Sequence, residues 1–287
     1  MAWQPLRDPA RIRAFCARDP GRYLFHLGDL DPAEWPHAEY LAWEEPAAGP
    51  GAAPAALASP AAPSTPAALL LLYRGLSVPA LIAFGDEGAL GERFAAALPL
   101  LPPAGFIHAF AEDLSLLERV RRVERHGAMR RMLWTGFPGG ATPPAAARAR
   151  RLGPADLPQL ASLYAESYPE AYFEPVQLER GMFFGVETGG TLASVAGVHV
   201  YSAAEGVAML GNIATRPAWR GQGLGRAVTA ALVAALAPRV RHIGLNVRAD
   251  NAPALRLYER LGFRTELVYE EARFAALDSS GSRCHSR

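Results

Sequence analysis

The chain has 287 residues and half of them are hydrophobic, enough for the cores of two domains of about 140 residues each and too many for global disorder. A formal net charge of +1, with 29 basic residues (all arginine) interspersed among 28 acids, argues against a nucleic-acid partner, which needs a basic face or stripe. Two cysteines at opposite ends of the chain, Cys16 and Cys284, make a disulfide framework or a cysteine-based metal site improbable, and no metal is expected.

From the N-terminus, Met1-Ala2-Trp3-Gln4-Pro5 lacks the charged and apolar regions of a secretory leader. The apolar run Ala67 to Tyr73 is far too short to span a membrane. A soluble, cytoplasmic protein is therefore expected, and the wealth of Arg, Ala, Gly and Pro reads as the product of a GC-rich, bacterial genome. Strand-like segments at Tyr40 to Trp43, Leu69 to Tyr73 and Val78 to Phe84 precede a helix at Leu90 to Leu98. A strand at Phe106 to Phe110, a helix near Leu114 to Val120 and a strand at Met129 to Trp134 follow. Residues 46–68, almost wholly Ala, Pro, Gly and Ser, read as a flexible loop inserted between strands. The breaker-rich stretch at 139–144 reads as a linker, which divides the chain into domains 1–138 and 145–276 ahead of a frayed tail at 277–287.

The second half begins with a short strand at Arg150 to Leu152 and a helix from Pro154 to about Glu166, with Leu157, Leu160, Leu163 and Tyr164 on one face. Strands at Met182 to Glu187, Thr191 to Tyr201 and Val207 to Thr215 come next, the first two joined by a Gly189-Gly190 turn. A helix from Gln222 to Leu236 places Leu224, Val228, Ala231, Leu232, Ala235 and Leu236 on one stripe. A strand at Ile243 to Val247, a helix at Ala252 to Leu261 and a closing hairpin through Phe263 to Phe274 complete a mixed α/β unit. The two halves share this order, so a tandem of two similar folds is expected, each a mostly antiparallel sheet flanked by helices, the alternative being an unrelated α/β lid domain in the first half.

Between strand and helix lies Arg220-Gly221-Gln222-Gly223-Leu224-Gly225-Arg226. A glycine-rich turn opening a helix offers free N–H groups and the positive end of the helix dipole, a site suited to phosphate. The spacing is not that of a dinucleotide fingerprint, since Gly221, Gly223 and Gly225 alternate and no acid follows until Asp250. A P-loop is excluded because the chain has no lysine. The run resembles the acetyl-CoA signature of the GNAT superfamily of N-acetyltransferases, Arg/Gln-x-x-Gly-x-Gly/Ala, with Arg220, Gly223 and Gly225 in its fixed places. Leu210 to Pro217 resembles the family's central strand, and Asn251 to Phe263 its later motif Asn-x-x-Ala-x-x-Leu-Tyr-x-x-x-Gly-Phe. The likeness covers roughly residues 149 to 275. In the first half the corresponding run, Asp86 to Glu92, is acidic and would repel phosphate, so only the second domain is expected to take the cofactor.

The resemblance implies acetyl-CoA, or another acyl-CoA, as co-substrate. It assigns the pyrophosphate to the amides of Gly221, Gln222, Gly223, Leu224, Gly225 and Arg226, with Arg220 alongside. It also assigns the pantetheine arm to Ile213, Ala214 and Asn251, although Asn251 equally suits a helix N-cap. Tyr258 is the implied proton donor to the departing sulfur, or else a packed tyrosine with a bonded hydroxyl. A general base is harder to find: Val207 to Arg216 holds no carboxylate, leaving Asn212 as the inward residue of that strand, His199 on its neighbour, or a water relay. Tyr168, Glu170, Tyr172 and Glu174 would wall the acceptor site and suit a cationic or amphipathic amine, unless they form an ordinary packed connection. The expected activity is transfer of acetyl to a primary amine, on a small molecule or a peptide, by direct attack in a ternary complex. Two alternatives stay open: a non-catalytic acyl-CoA-binding regulatory module, and an enzyme using a longer acyl-CoA. Neither a nucleic-acid nor a membrane partner is expected, and edge strands would permit a homodimer as well as a monomer.

Overall fold

The structure, a computed structural model, describes residues 2–44, 65–86, 88–169, 173–180 and 182–277. Glu170 and Tyr172, most of the expected loop at 46–68 and nearly all of the tail lie outside these residues.

In chain order the elements begin with β1 (Trp3–Leu6), α1 (Pro9–Cys16), α2 (Leu24–Gly28), β2 (Ala38–Trp43), β3 (Ala68–Tyr73) and β4 (Ala80–Ala83). They continue with α3 (Glu92–Ala97), β5 (Ala104–Ala109), α4 (Ala111–Leu117) and β6 (Arg122–Trp134). Then come β7 (Arg150–Arg151), α5 (Leu157–Ser167), α6 (Pro175–Arg180), β8 (Phe184–Thr188), β9 (Thr191–Ser202) and β10 (Val207–Thr215). The last four are α7 (Leu224–Leu236), β11 (His242–Arg248), α8 (Ala252–Arg260) and β12 (Phe263–Ala275).

The chain forms two compact units, one from residues 1–19, 32–128 and 268–287, the other from residues 20–31 and 129–267. The division falls inside strands β6 and β12, not at 139–144 where the breakers suggested a linker. The reason is strand pairing. In the first unit the order is β1-β2-β3-β4-β5-β12, with only β4 and β5 parallel. The second unit runs β7-β8-β9-β10-β11-β6, with only β10 and β11 parallel. Each sheet thus takes its last strand from the other half of the sequence, a long-range pairing that local composition does not announce.

The expected hairpin at Phe263 to Phe274 is a single strand instead. Val268-Tyr269-Glu270-Glu271 has no turn residue, and Glu270 to Ala275 pair in unbroken register with β5. The expected strand at Met129 to Trp134 likewise extends back to Arg122. Elements α1 and α6 each begin with a proline in the first turn, which fixes φ for the helix and needs no N–H there. Asp8 caps α1, its carboxylate accepting the N–H of Ala10 at 2.9 Å.

The second unit's core lies between its sheet and α7. Leu224, Val228, Leu232, Val233 and Leu236 of that helix are fully buried against Ala196, Val198, Ala208, Leu210 and Leu245. At roughly 2 kcal/mol for each such side chain, the stripe fixes α7, and with it the glycine turn at its start, firmly on the sheet. A smaller cluster on α5 and α6, including Leu160, Leu163, Tyr164, Leu178 and Phe183, packs with Val195 and Ala214.

Candidate active site

Strands β10 and β11 begin as a parallel pair, Val207 to Leu210 matching His242 to Leu245. Beyond Leu210 the strand β10 bulges, its register against β9 shifting between Gly211 and Ala214. Asn212 sits in the bulge at φ 53°, a left-handed conformation that asparagine tolerates better than most residues. On its other side β11 is paired with β6 from Gly244 to Arg248, and among the described residues no pairing with β10 is seen beyond Leu245. The two parallel strands therefore part at Gly211, and Ile213 and Ala214 lie beyond the parting.

The bulge is gripped by the helices on one face. Tyr164 of α5 donates its hydroxyl to the Asn212 carbonyl at 2.8 Å. Gln177 of α6 accepts the Asn212 side-chain N–H at 3.2 Å. Neither partner was singled out for the site from sequence. Tyr164 read as a core residue, and the only available sign of α6 was Pro175 at a helix start. Beside them Arg216, also buried, ion-pairs with Glu166 and donates to Leu192 O at 2.9 Å and Ser162 Oγ at 3.0 Å. This clamp holds the end of β10 to the last turn of α5.

Gly221 and Gly223 both adopt φ 76°, and a Cβ on either would meet nothing within 4 Å. Gly223 is the N-cap of α7 and no side chain caps the helix. The first N–H groups of α7 therefore lack an intrahelical partner and stand beside exposed Gly221 and Gln222. Leu224 itself points into the core, so it can contribute only its backbone. The exposed Arg226 has no ion pair or hydrogen bond among the described residues. Arg220 is differently placed: its guanidinium donates to Thr215 O at 3.1 Å and Ser167 O at 3.4 Å, fastening the turn to α5. An uncapped helix N-terminus with open glycines and a free arginine fits a pyrophosphate.

Across the parting, Asn251 caps α8 by accepting the Ala254 N–H at 3.2 Å, which leaves its side-chain N–H₂ available to a ligand. Tyr258 follows two turns later. Its ring is 7% exposed and packs edge-on to Phe263 at 5.9 Å. Its hydroxyl has no hydrogen-bond partner among the described residues and is not among the buried polar atoms cut off from solvent. Burial, then the nearby Tyr168 phenol, pushes its pKa above the ordinary tyrosine value, so the group carries its proton throughout the neutral range. Tyr168 acts on Tyr164 in the same way, which places the three phenols in one neighbourhood.

His199 lies over Gly211, so close that a Cβ there would meet its ring at 1.8 Å. The residue is solvent-exposed, and crowding by surrounding protein atoms lowers its pKa. Glu174 uses its backbone N–H to bond Gln177 Oε1 at 3.1 Å. A cavity of about 330 Å³, lined by residues such as Phe137, Glu259 and Arg264, lies at the other end of α8 from Asn251 and includes none of the candidate residues. Among the described residues no cluster of three or more His, Cys, Asp or Glu could hold a metal, and no helix is long and apolar enough to cross a membrane.

The second unit thus carries a parted parallel strand pair, an uncapped glycine turn and an unpartnered tyrosine hydroxyl. Residues 152–263 match the model of the Acetyltransferase (GNAT) family. The chain is 39% identical over 106 residues to the [ribosomal protein bS18]-alanine N-acetyltransferase of Escherichia coli K12, covering 37% of this chain and 70% of that one. It is 32% identical over 129 residues to the mycothiol acetyltransferase of Mycobacterium leprae, covering 41% of this chain and 40% of the other. The X-ray structure of a Drosophila protein shares the fold over 95% of this chain and 98% of its own, with a TM-score of 0.65 at 14% identity. The chain belongs to the GNAT acetyltransferase family and is an N-acyltransferase of the acetyl-CoA-dependent kind.

Proposed function

We propose that the second unit transfers an acetyl group from acetyl-CoA to a primary amine by direct attack in a ternary complex. The observation that carries this reading is the parting of β10 from β11 together with the uncapped start of α7, the helix that follows β10 in the chain. Bound there, acetyl-CoA supplies an activated thioester. Gly221 to Arg226 hold the pyrophosphate, Ile213, Ala214 and Asn251 line the arm, and Tyr258 faces the sulfur end. The acceptor nitrogen forms the new N–C bond as the C–S bond breaks. One amine proton leaves to solvent, and Tyr258 Oη gives its proton to the departing sulfur before regaining one from water. The one cysteine among the described residues, Cys16, is buried in the other unit, which supports direct transfer over an acyl-enzyme.

The acceptor is read as an N-terminal or otherwise unhindered primary amine, in keeping with the alanine named for the E. coli relative. Tyr168, 44% exposed, and exposed Val176 supply an apolar rim that suits a peptide or amphipathic amine. The first unit is read as a degenerate copy, since it repeats the same strand pairing. Its glycine turn is closed from within: the buried Asp113 carboxylate accepts the N–H groups of Leu90 and Gly91 at 2.8 and 2.9 Å. For the exclusion of phosphate the sequence pointed to the acidic run Asp86 to Glu92, and of that run Asp86 pairs with Arg18.

Thermal unfolding with acetyl-CoA, CoA, NAD and ATP tests the cofactor. At 100 times Kd, acetyl-CoA should stabilise the protein by about 2.7 kcal/mol, with no shift from NAD. Thiol release with an amine panel then separates an enzyme from a binding module. A histidine whose pKa lies below its ordinary value is a weak match for stripping an ammonium, so the acid limb of kcat/KM should follow the acceptor's own amine, about pH 8 for a peptide N-terminus. His199→Gln is expected to leave that limb in place. Its disappearance in the variant would identify His199 as the base.

A further inference from the structure

One polar atom of the bulge is left over. Asn212 is 3% exposed, and its Oδ1 is fully buried with no hydrogen-bond partner among the described residues. Buried amide oxygens are rarely orphaned, because the desolvation they suffer is not repaid. The amide cannot simply be turned round to remove the problem. Gln177 Oε1 accepts the backbone N–H of Glu174 at 3.1 Å, so the Gln177 atom facing Asn212 must be the oxygen. That oxygen then requires the Asn212 N–H₂ opposite it, at 3.2 Å. Tyr164 meanwhile pins the backbone carbonyl of the same residue at 2.8 Å, so the whole residue is locked. Asn212 Oδ1 is thereby held as a bare acceptor at the point where β10 leaves β11.

We propose that Asn212 Oδ1 receives one N–H of the acceptor amine and so makes the site selective for primary amines, with Gln177 as the residue that positions it. This rests on the reading of the second unit as an acetyltransferase. A neutral primary amine attacks through its lone pair and has two N–H bonds. One proton must leave as the amide forms, and the other is free to stay on Oδ1 throughout. A secondary amine has a single N–H and cannot meet both demands. The left-handed backbone at Asn212 explains why asparagine is tolerated there but not why its amide is fastened at both ends by neighbouring helices.

The test uses Asn212→Gly, which keeps the left-handed backbone and removes only the amide. Its substrates are matched pairs, an alanine-initiated hexapeptide with its N-methylalanine form and benzylamine with N-methylbenzylamine. For wild type the primary member of each pair should be preferred. In Asn212→Gly the KM for the primary amine should rise about 10-fold, the preference should shrink by a similar factor, and the KM for acetyl-CoA should hold. Gln177→Glu, which still accepts both N–H groups, should behave as wild type, whereas Gln177→Leu should resemble Asn212→Gly. Unchanged selectivity in Asn212→Gly would overturn the proposal while leaving the acetyltransferase reading intact. Acetyl-CoA binding without transfer to either primary amine in wild type would overturn both.

Discussion

Replacing Tyr258 with phenylalanine should lower kcat by about 100-fold or more while leaving acetyl-CoA affinity within about twofold. The substitution removes one oxygen and nothing else. The ring keeps its place at 7% exposure against Phe263, and α8 keeps its Asn251 cap. Were the hydroxyl structural, it would have a protein partner, and its loss would cost stability of about 1 kcal/mol without touching turnover. It has no such partner among the described residues. Its raised pKa, caused first by burial and then by the Tyr168 phenol, keeps it protonated, as a donor to a leaving thiolate must be. The rate should therefore show no loss on the alkaline side up to the ordinary tyrosine range, because the folded pKa lies above it. Steady-state kinetics with the best amine of the panel, beside a calorimetric Kd for acetyl-CoA, separates the two roles. An unchanged kcat would remove Tyr258 from the mechanism.

Much of the second unit was legible because its signals are local. The glycine alternation of Gly221, Gly223 and Gly225, the stripe from Leu224 to Leu236 and the cap at Asn251 each depend on residues within a few turns of one another. What local signals could not show was set by distant parts of the chain. The partner of β11 is β6, and the partner of β5 is β12, more than a hundred residues away in each case. No breaker marks these junctions, so the linker was sought in the proline and glycine run instead. The site shows the same split. Gly223 and Tyr258 carry their meaning in a motif, whereas Gln177 matters only because α6 brings it to a bulge 35 residues further on. Arg220 illustrates the converse. A motif position marked it for the cofactor, and the fold gives its guanidinium to Thr215 and Ser167.

Asp113→Ala should destabilise the first unit by about 3 kcal/mol and leave the second unit's affinity for acetyl-CoA unchanged. The carboxylate is fully buried and satisfies two N–H groups at once, those of Leu90 and Gly91. Truncation leaves both donors buried and unpaired, and hydrogen bonds to a charged acceptor are among the stronger ones. Burial pushes the Asp113 pKa above the ordinary carboxylate value even though both N–H groups pull it down, so this anion is held there at a desolvation cost. Asp113→Asn, which keeps one acceptor oxygen, should lose about half as much. The decisive reading is stoichiometry: calorimetry should give one acetyl-CoA per chain for wild type and for both variants, because α3 is only six residues long and its turn never offered a full phosphate cradle. A second equivalent bound by Asp113→Ala would show instead that the carboxylate masks a working site, and the first unit would then be a gated copy, not a closed one.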